Sequence, residues 1–123
     1  MNDPIETQVR LRPARPETDF PAIVRLINYF DRVPTTLEQV EKNYYFMPEG
    51  RILHRTMAVD ANDQVIGYGV CAHETWFPPD EFYVWVIIEP GWRGKGIGTR
   101  LYADALAFLR EQGAVSLKSE VHD

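Results

Sequence analysis

The 123 residues contain one cysteine, Cys71, which excludes an internal disulfide framework. No apolar run is long enough to span a bilayer. The chain opens Met1-Asn2-Asp3-Pro4, polar where a secretion signal needs an apolar stretch. Basic residues are in the minority, 13 against 18 acidic, giving a net charge of −5. An acidic chain is a poor nonspecific binder of nucleic acid. The three histidines, His54, His73 and His122, are widely separated and lack metal-ligand spacing such as His-x-x-x-His, so no metal site is read. Internal repeats and low-complexity tracts are missing too. A chain of this length with 45% apolar residues can bury a real core. The expectation is one cytoplasmic domain over residues 1–123, with neither a membrane nor a nucleic-acid partner.

Hydrophobic periodicity divides the chain into elements. Val9 and Leu11 alternate with Arg10 and Arg12, predicting a strand from Thr7 to Arg12 that Pro13 and Pro16 end. A helix starts near Glu17-Thr18-Asp19, with Phe20, Ile23, Val24, Ile27 and Phe30 at helical spacing. Thr35 or Thr36 caps a second helix running to about Tyr45. Leu53 to Asp60 and Gln64 to Glu74 read as a hairpin about the turn Ala61-Asn62-Asp63. Gly67 and Gly69 weaken its second strand and mark a bulge. Phe82 to Ile88 is almost wholly apolar, as a strand buried on both faces is. Residues 98–112 form a helix with Ile97, Leu101, Ala105, Phe108 and Leu109 inward. Gly113 stops it, and 114–121 alternates as a last strand, parallel to 82–88.

The richest segment lies between those last two elements: Glu89-Pro90-Gly91-Trp92-Arg93-Gly94-Lys95-Gly96-Ile97-Gly98-Thr99-Arg100. Glycines at 94, 96 and 98 let the backbone turn tightly and come close to a ligand. The following helix directs its unpaired N–H groups and the positive end of its dipole into that turn, which suits an anion such as a pyrophosphate. Arg93, Lys95 and Arg100 add cations. The segment is not a Walker A loop, since no Gly-Lys-Ser/Thr ends it, and Thr99 and Leu101 stand where a dinucleotide fingerprint needs glycine.

It resembles motif A of the GNAT family of acyl-CoA-dependent N-acetyltransferases, Gln/Arg-x-x-Gly-x-Gly/Ala, matched by Arg93, Gly96 and Gly98. The order β-α-α-β-β-β-α-β matches the first two-thirds of that α/β (α+β) fold, a mixed central sheet. The family adds a helix and two strands after the last strand seen here. The resemblance therefore implies a C-terminally truncated domain, or one part of a longer protein, tandem domains included. The last strand is then an exposed edge, expected to pair with a second copy or a partner segment.

The resemblance also implies acetyl-CoA as cofactor. In the family the cofactor strand and the strand after the helix splay apart. Val86, Ile87 and Ile88 would then offer backbone groups to the pantetheine arm in the manner of β-augmentation. Arg93, Gly94, Lys95, Gly96, Ile97, Gly98 and Thr99 would hold the pyrophosphate. The implied reaction is direct attack by a primary amine, of a small molecule or peptide, on the thioester. An alkylammonium with pKa ~10.4 is neutral in only about one molecule in 2,500 at pH 7, so a base is useful. The family often places a glutamate eleven residues before the motif's arginine; here that position is Phe82, and Glu81, beside Asp80, is the candidate base. The tyrosine that serves the family as general acid follows the last strand seen here and has no match.

Other residues receive plainer readings. Cys71 is a small core residue. His73, flanking the loop before the cofactor strand, is weighed as a proton relay. Trp92 packs the turn. Of the aromatics Tyr44, Tyr45, Phe46, Trp76, Phe77, Tyr83 and Trp85, most belong to the core and the rest line an acceptor pocket. Arg10, Arg12, Arg15 and Arg25 are read as surface charges. The competing function is a non-catalytic half that binds acyl-CoA or supports a larger protein; a nucleotide binder is a weaker third.

Overall fold

The computed structural model describes residues 8–29 and 34–123. Five strands form one sheet in sequential order: β1 (Arg10–Pro13), β2 (Ile52–Val59), β3 (Val65–His73), β4 (Glu81–Ile88) and β5 (Ser116–His122). Neighbours are antiparallel through β4, and β4–β5 is parallel. Among the described residues three helices cover the sheet: α1 (Pro16–Ile27), α2 (Leu37–Tyr45) and α3 (Ile97–Glu111). The element order is the expected one. Boundaries shift by one to three residues. Thr7 and Phe30 lie outside the described residues.

Pro13 does not end β1 but belongs to it, opposite Thr56, which an edge strand tolerates because one side of its backbone needs no ladder partner. Pro16 supplies the first turn of α1, where its missing N–H costs nothing. Thr36 caps α2 through a full capping box: its hydroxyl accepts from the Gln39 N–H, and the Gln39 side chain accepts from the Thr36 N–H. The β2–β3 hairpin turns at Ala61–Asp63, with the Asp60 carboxylate accepting the amides of Asn62 and Gln64. Its register slips beside Gly67, between Ala58 and Val59. Gly67 is small for a packing reason: a Cβ there would meet Ile88 Cδ1 at 2.9 Å and Leu101 Cδ1 at 3.3 Å. The glycine lets α3 lie close on the sheet.

Alternation along β4 splits the core in two. Phe82, Val84, Val86 and Ile88 pack beneath α3 with Ile97, Leu101, Ala105 and Leu109. Ile87 faces the other way, joining Phe20, Ile23, Leu26, Val40, Met57 and Tyr68 beneath α1 and α2. This is the two-sided burial that the apolar run predicts. Cys71 lies in the first core, fully buried.

The arginines expected at the surface behave differently. Arg12 is 9% exposed in its side chain, and its Nη1 and Nη2 donate to the two oxygens of buried Asp19 at 2.7 and 3.0 Å. The same carboxylate accepts the Arg15 amide at the start of α1. The period-2 pattern puts Arg12 on an edge strand; only the tertiary fold lays α1 across it. Arg10, Arg15 and Arg25 are the exposed, ion-paired charges expected.

Candidate functional site

Two features adjoin β4: a glycine turn at its C-terminal end and a cavity over its α1–α2 face. After Ile88 the chain makes one 3₁₀ turn, Pro90–Trp92, with the half-buried Trp92 ring against the α3-side core. Gly94 and Gly96 then take φ of +72° and +83°, a region that disfavours a Cβ, and no other atom lies within 4 Å of where a Cβ would stand. The turn is therefore open as well as left-handed. Gly96 is the N-cap of α3, so the free N–H groups of the first helical turn face this opening, and no acidic side chain lies in that turn. Lys95 and Thr99 are exposed, Ile97 and Gly98 buried.

An anion already sits there. The Asp123 carboxylate accepts the Gly94 N–H at 3.0 Å through Oδ1 and the Gly98 N–H at 3.2 Å through Oδ2. A Cβ on Gly98 would strike that carboxylate at 2.5 Å. Two oxygens on one centre, held by amides four residues apart, are what a phosphate group would offer to the same cradle. The residues present fit the diphosphate of a nucleotide-like cofactor. Arg93 and Arg100 contribute less directly than expected: Arg93 Nε donates to the Ile88 carbonyl at 3.0 Å, and Arg100 Nη1 to the Val9 carbonyl at 2.8 Å. Both brace the turn against the sheet.

The expected splay between the cofactor strand and the last strand is not seen. Pairing of β4 with β5 runs on through Val86↔Val121 and Ile87↔His122, and only Ile88 passes the end of the ladder. The side of β4 that a pantetheine arm would use is filled by β5 itself. Most of the residues of that strand are exposed. Trp85 Nε1 donates to Glu120 at 2.9 Å, and Glu120 also contacts His122, whose hydrogen bond heads the influences holding the Glu120 carboxyl below its ordinary range.

The cavity has a volume of about 360 Å³ and lies between the α1–α2 pair and β2–β4. Ile23, Ile27, Val40 and Val70 give it apolar walls, Tyr68, Tyr83 and Trp85 aromatic ones, and Arg51, Arg55, Asn43 and Glu74 polar ones. Burial, with the nearby Glu120 carboxylate, pushes the Tyr83 hydroxyl above its ordinary pKa, so it keeps its proton. Of the aromatics expected here, Tyr83 and Trp85 take part; Tyr45, Phe46 and Trp76 are exposed. Arg51, Arg55, Asn43 and Glu74 were not anticipated. Alternation about Leu53 and Arg55 on β2 carries the signal for one of them, but the partners come from three separate elements. A wider depression of about 630 Å³ lies along the Arg12, Arg15 and Arg25 side, where these arginines are paired to Asp19, Asp63 and Glu89.

Glu81 stands at the opposite end of β4 from the glycine turn, roughly 23 Å away at strand rise. Its carboxylate pairs with exposed Lys118 at 3.4 Å. The carbonyl of Glu81 accepts His73 Nδ1–H at 2.8 Å, and the His73 ring packs against Phe77 and Phe82. His73 thus ties β3 to β4, away from the cavity lining. Burial lifts the Cys71 thiol to about 12, which leaves it protonated and inert at neutral pH. No group of three or more metal-ligating side chains exists among the described residues. No described helix is long and apolar enough to cross a membrane.

Residues 20–123 match the family model described as acetyltransferase (GNAT) family. No curated protein sequence matches the chain. Among solved structures, it is similar to a GCN5-related N-acetyltransferase from Kribbella flavida, with 22% identity, TM-score 0.73, and 91% of this chain and 71% of that one covered. It is also similar to the phosphinothricin acetyltransferase Pat from Sinorhizobium meliloti, solved with AcCoA, with 18% identity, TM-score 0.76, and 91% and 65% covered. A candidate phosphinothricin N-acetyltransferase shares 28% identity at TM-score 0.70, with 90% and 70% covered. The distant matches speak for the fold, the family model for membership. With the strand order, the left-handed glycine turn and its seated carboxylate, they place this chain in the GNAT acetyltransferase family.

Proposed function

We propose that the chain is the cofactor-binding and acceptor-binding part of an acetyl-CoA-dependent N-acetyltransferase that acts on a primary amine by direct attack. The observation that carries this reading is the Asp123 carboxylate bound by the Gly94 and Gly98 amides. When bound, acetyl-CoA supplies an activated acyl thioester. The chain supplies the rest. Amides of the 93–99 turn and the Lys95 ammonium take the diphosphate. Val86, Ile87 and Ile88 offer backbone groups once the end of β5 yields its place. The cavity beneath α1 and α2 orients the amine. Two carboxylates are near enough to the cavity end of β4 to consider as proton acceptors. Glu74 is held by two hydrogen bonds from Arg51, at 2.7 and 3.2 Å, whereas Glu81 has only an exposed lysine. Glu81 is therefore the freer base.

The continuous β4–β5 ladder favours a second reading, a GNAT-like half that binds acyl-CoA or supports a larger protein without catalysis. Calorimetric titration with acetyl-CoA, followed by a mass-spectrometric screen for N-acetylated amines, separates the two. Saturable binding with turnover supports the enzyme; binding without turnover supports the second reading. No binding by the folded chain removes the enzyme reading for this chain and leaves, of the second, only the supporting role.

A further inference from the structure

The sheet has two edges, β1 and β5, and they are finished differently. β1 is four residues long and holds Pro13, two features that blunt an edge against pairing with another chain. β5 runs seven residues, Ser116 to His122, with no proline and with an unbroken register on β4. Its outer side meets no strand among the described residues. The charges along it are of both signs. Lys118 is exposed beside Glu81, and Glu120 is exposed beside Trp85 and His122. Their Cα partners on β4, Tyr83 and Trp85, line the cavity and so place both charges on the α1–α2 face. Leu117 and Val121, opposite Phe82 and Val86, fall on the α3 face, where Leu117 is half-buried and Val121 exposed.

We infer that β5 is the contact surface for a second copy of this chain, the strand pairing antiparallel with itself about a two-fold axis at Ser119. The strand is self-complementary about that residue. In this register Lys118 stands opposite the partner's Glu120, Leu117 opposite the partner's Val121 and Ser116 opposite the partner's His122, and the two-fold repeats each pair. A slip of one residue turns every side chain to the other face, so the neighbouring registers lie two residues away. One of them sets Lys118 against Lys118, the other Glu120 against Glu120. Opposite charges directly across a strand pair stabilise it and like charges oppose it, so the charge order selects one register. Pairing also gives the outer backbone groups of β5 their hydrogen-bond partners and runs one sheet through both copies. The inference concerns assembly and does not rest on acetyl transfer.

The test is sedimentation equilibrium of the full chain over a concentration series, joined to oxidative cross-linking of Ser119→Cys. A reversible dimer is expected. Ser119 is exposed and lies on the axis. Two thiols introduced there sit on directly opposed residues, with Cα atoms about 4.5 to 5.5 Å apart, within the reach of a disulfide. Ser119→Cys should therefore become a covalent dimer under mild oxidation, and Ser116→Cys, opposite the partner's His122, should not. Cys71 is fully buried and takes no part. Lys118→Glu sets like charges across the axis twice and should weaken the dimer at least about tenfold. Adding Glu120→Lys should recover part of that loss. Thermal melts establish that each variant is folded. A monomer at every concentration overturns the inference and leaves the edge to a strand of another kind. A dimer in which Ser119→Cys cross-links no better than Ser116→Cys overturns it too, since the contact then lies elsewhere. The wild-type sedimentation and the cross-link decide the matter even where a charge variant fails to fold.

Discussion

The two faces of the sheet are built on opposite principles. The α3 face is dry: alternate residues of β4 meet Ile97, Leu101, Ala105 and Leu109, and the helix lies close because Gly67 leaves it room. Its polar exceptions are few and edge-placed, such as His54 Nε2 on Asp104 at 3.0 Å beneath the stacked Phe108 ring. The α1–α2 face has fewer apolar contacts and is wired by arginines, with a cavity left between them. The difference divides the labour. A rigid apolar face fixes the helix whose N-terminus makes the anion cradle, and a charged, hollow face leaves space for a second ligand. The two-substrate site proposed above would need both, with β4 as the shared wall.

The division is broken most severely at the cradle. Gly96→Glu places a Cβ at φ +83° and a carboxylate among the turn amides. Acetyl-CoA affinity is expected to fall at least about 100-fold, since two or more charge-assisted hydrogen bonds are lost to repulsion. Calorimetry measures this. The cavity under the α1–α2 pair should keep its shape, because Gly96 lies outside its lining. An unchanged affinity in a folded variant would mean that the cofactor does not use this turn.

On the other face the largest effect belongs to Asp19. Burial alone would push its carboxyl up, but the Arg12 hydrogen bond, the Arg15 amide and the two positive charges outweigh it and set it below the ordinary range. The stability it contributes is therefore present above the unfolded carboxyl pKa of about 3.9 and is lost as pH falls through the lower folded value. Asp19→Asn should cost about 3 kcal/mol at neutral pH, since the buried Arg12 charge loses its two-pronged partner and keeps only the Asp63 carboxylate, at 3.2 Å from Nε. It should also flatten the acid limb of the stability curve. Urea melts between pH 2 and 7 test both; an unchanged acid limb would show that another carboxylate governs it.

How far these features can be read from the chain follows the same division. The α3 side was legible because its determinants are local. The apolar run of β4, period 3.6 in α3 and three glycines at alternate positions all lie within residues 82–112, and the anion turn follows from them. The α1–α2 side was not, because its determinants are long-range. Arg55 comes from a strand, Glu74 from the residue just past one and Asn43 from a helix, and Arg12 meets Asp19 only after α1 crosses β1. A charged residue on a strand reads as solvent-facing until the element that covers it is known. The closed β4–β5 ladder was unforeseen for another reason: the splay was implied by likeness to a family, and no residue in either strand specifies it.

A smaller effect sharpens the contrast at the cavity roof. The Thr36 capping box holds the start of α2, and α2 carries Asn43, the amide shared by Arg51 and Arg55. Thr36→Ala should cost about 1 kcal/mol of stability. It should leave acetyl-CoA binding alone. A parallel loss of acetyl-CoA affinity would argue that α2 steadies the whole domain.

The smallest effect tests whether the cradle is occupied in solution. Asp123 competes for the amides that a diphosphate needs, and β5 covers the backbone of Val86 and Ile87. A ligand that must first displace an internal group pays for the fraction of molecules already open, so its apparent affinity is lower than the site's own. Asp123→Asn keeps the shape and removes the charge. Acetyl-CoA should then bind about two- to tenfold more tightly, with the amides of Gly94 and Gly98 exchanging faster in the free protein. Faster exchange without tighter binding would place the barrier in the β4–β5 ladder instead. Relief would then require weakening β5 at the Glu120–Trp85 hydrogen bond. Charge and ladder are thus separable locks on one cleft, and the order in which they open is fixed by which variant first raises the affinity.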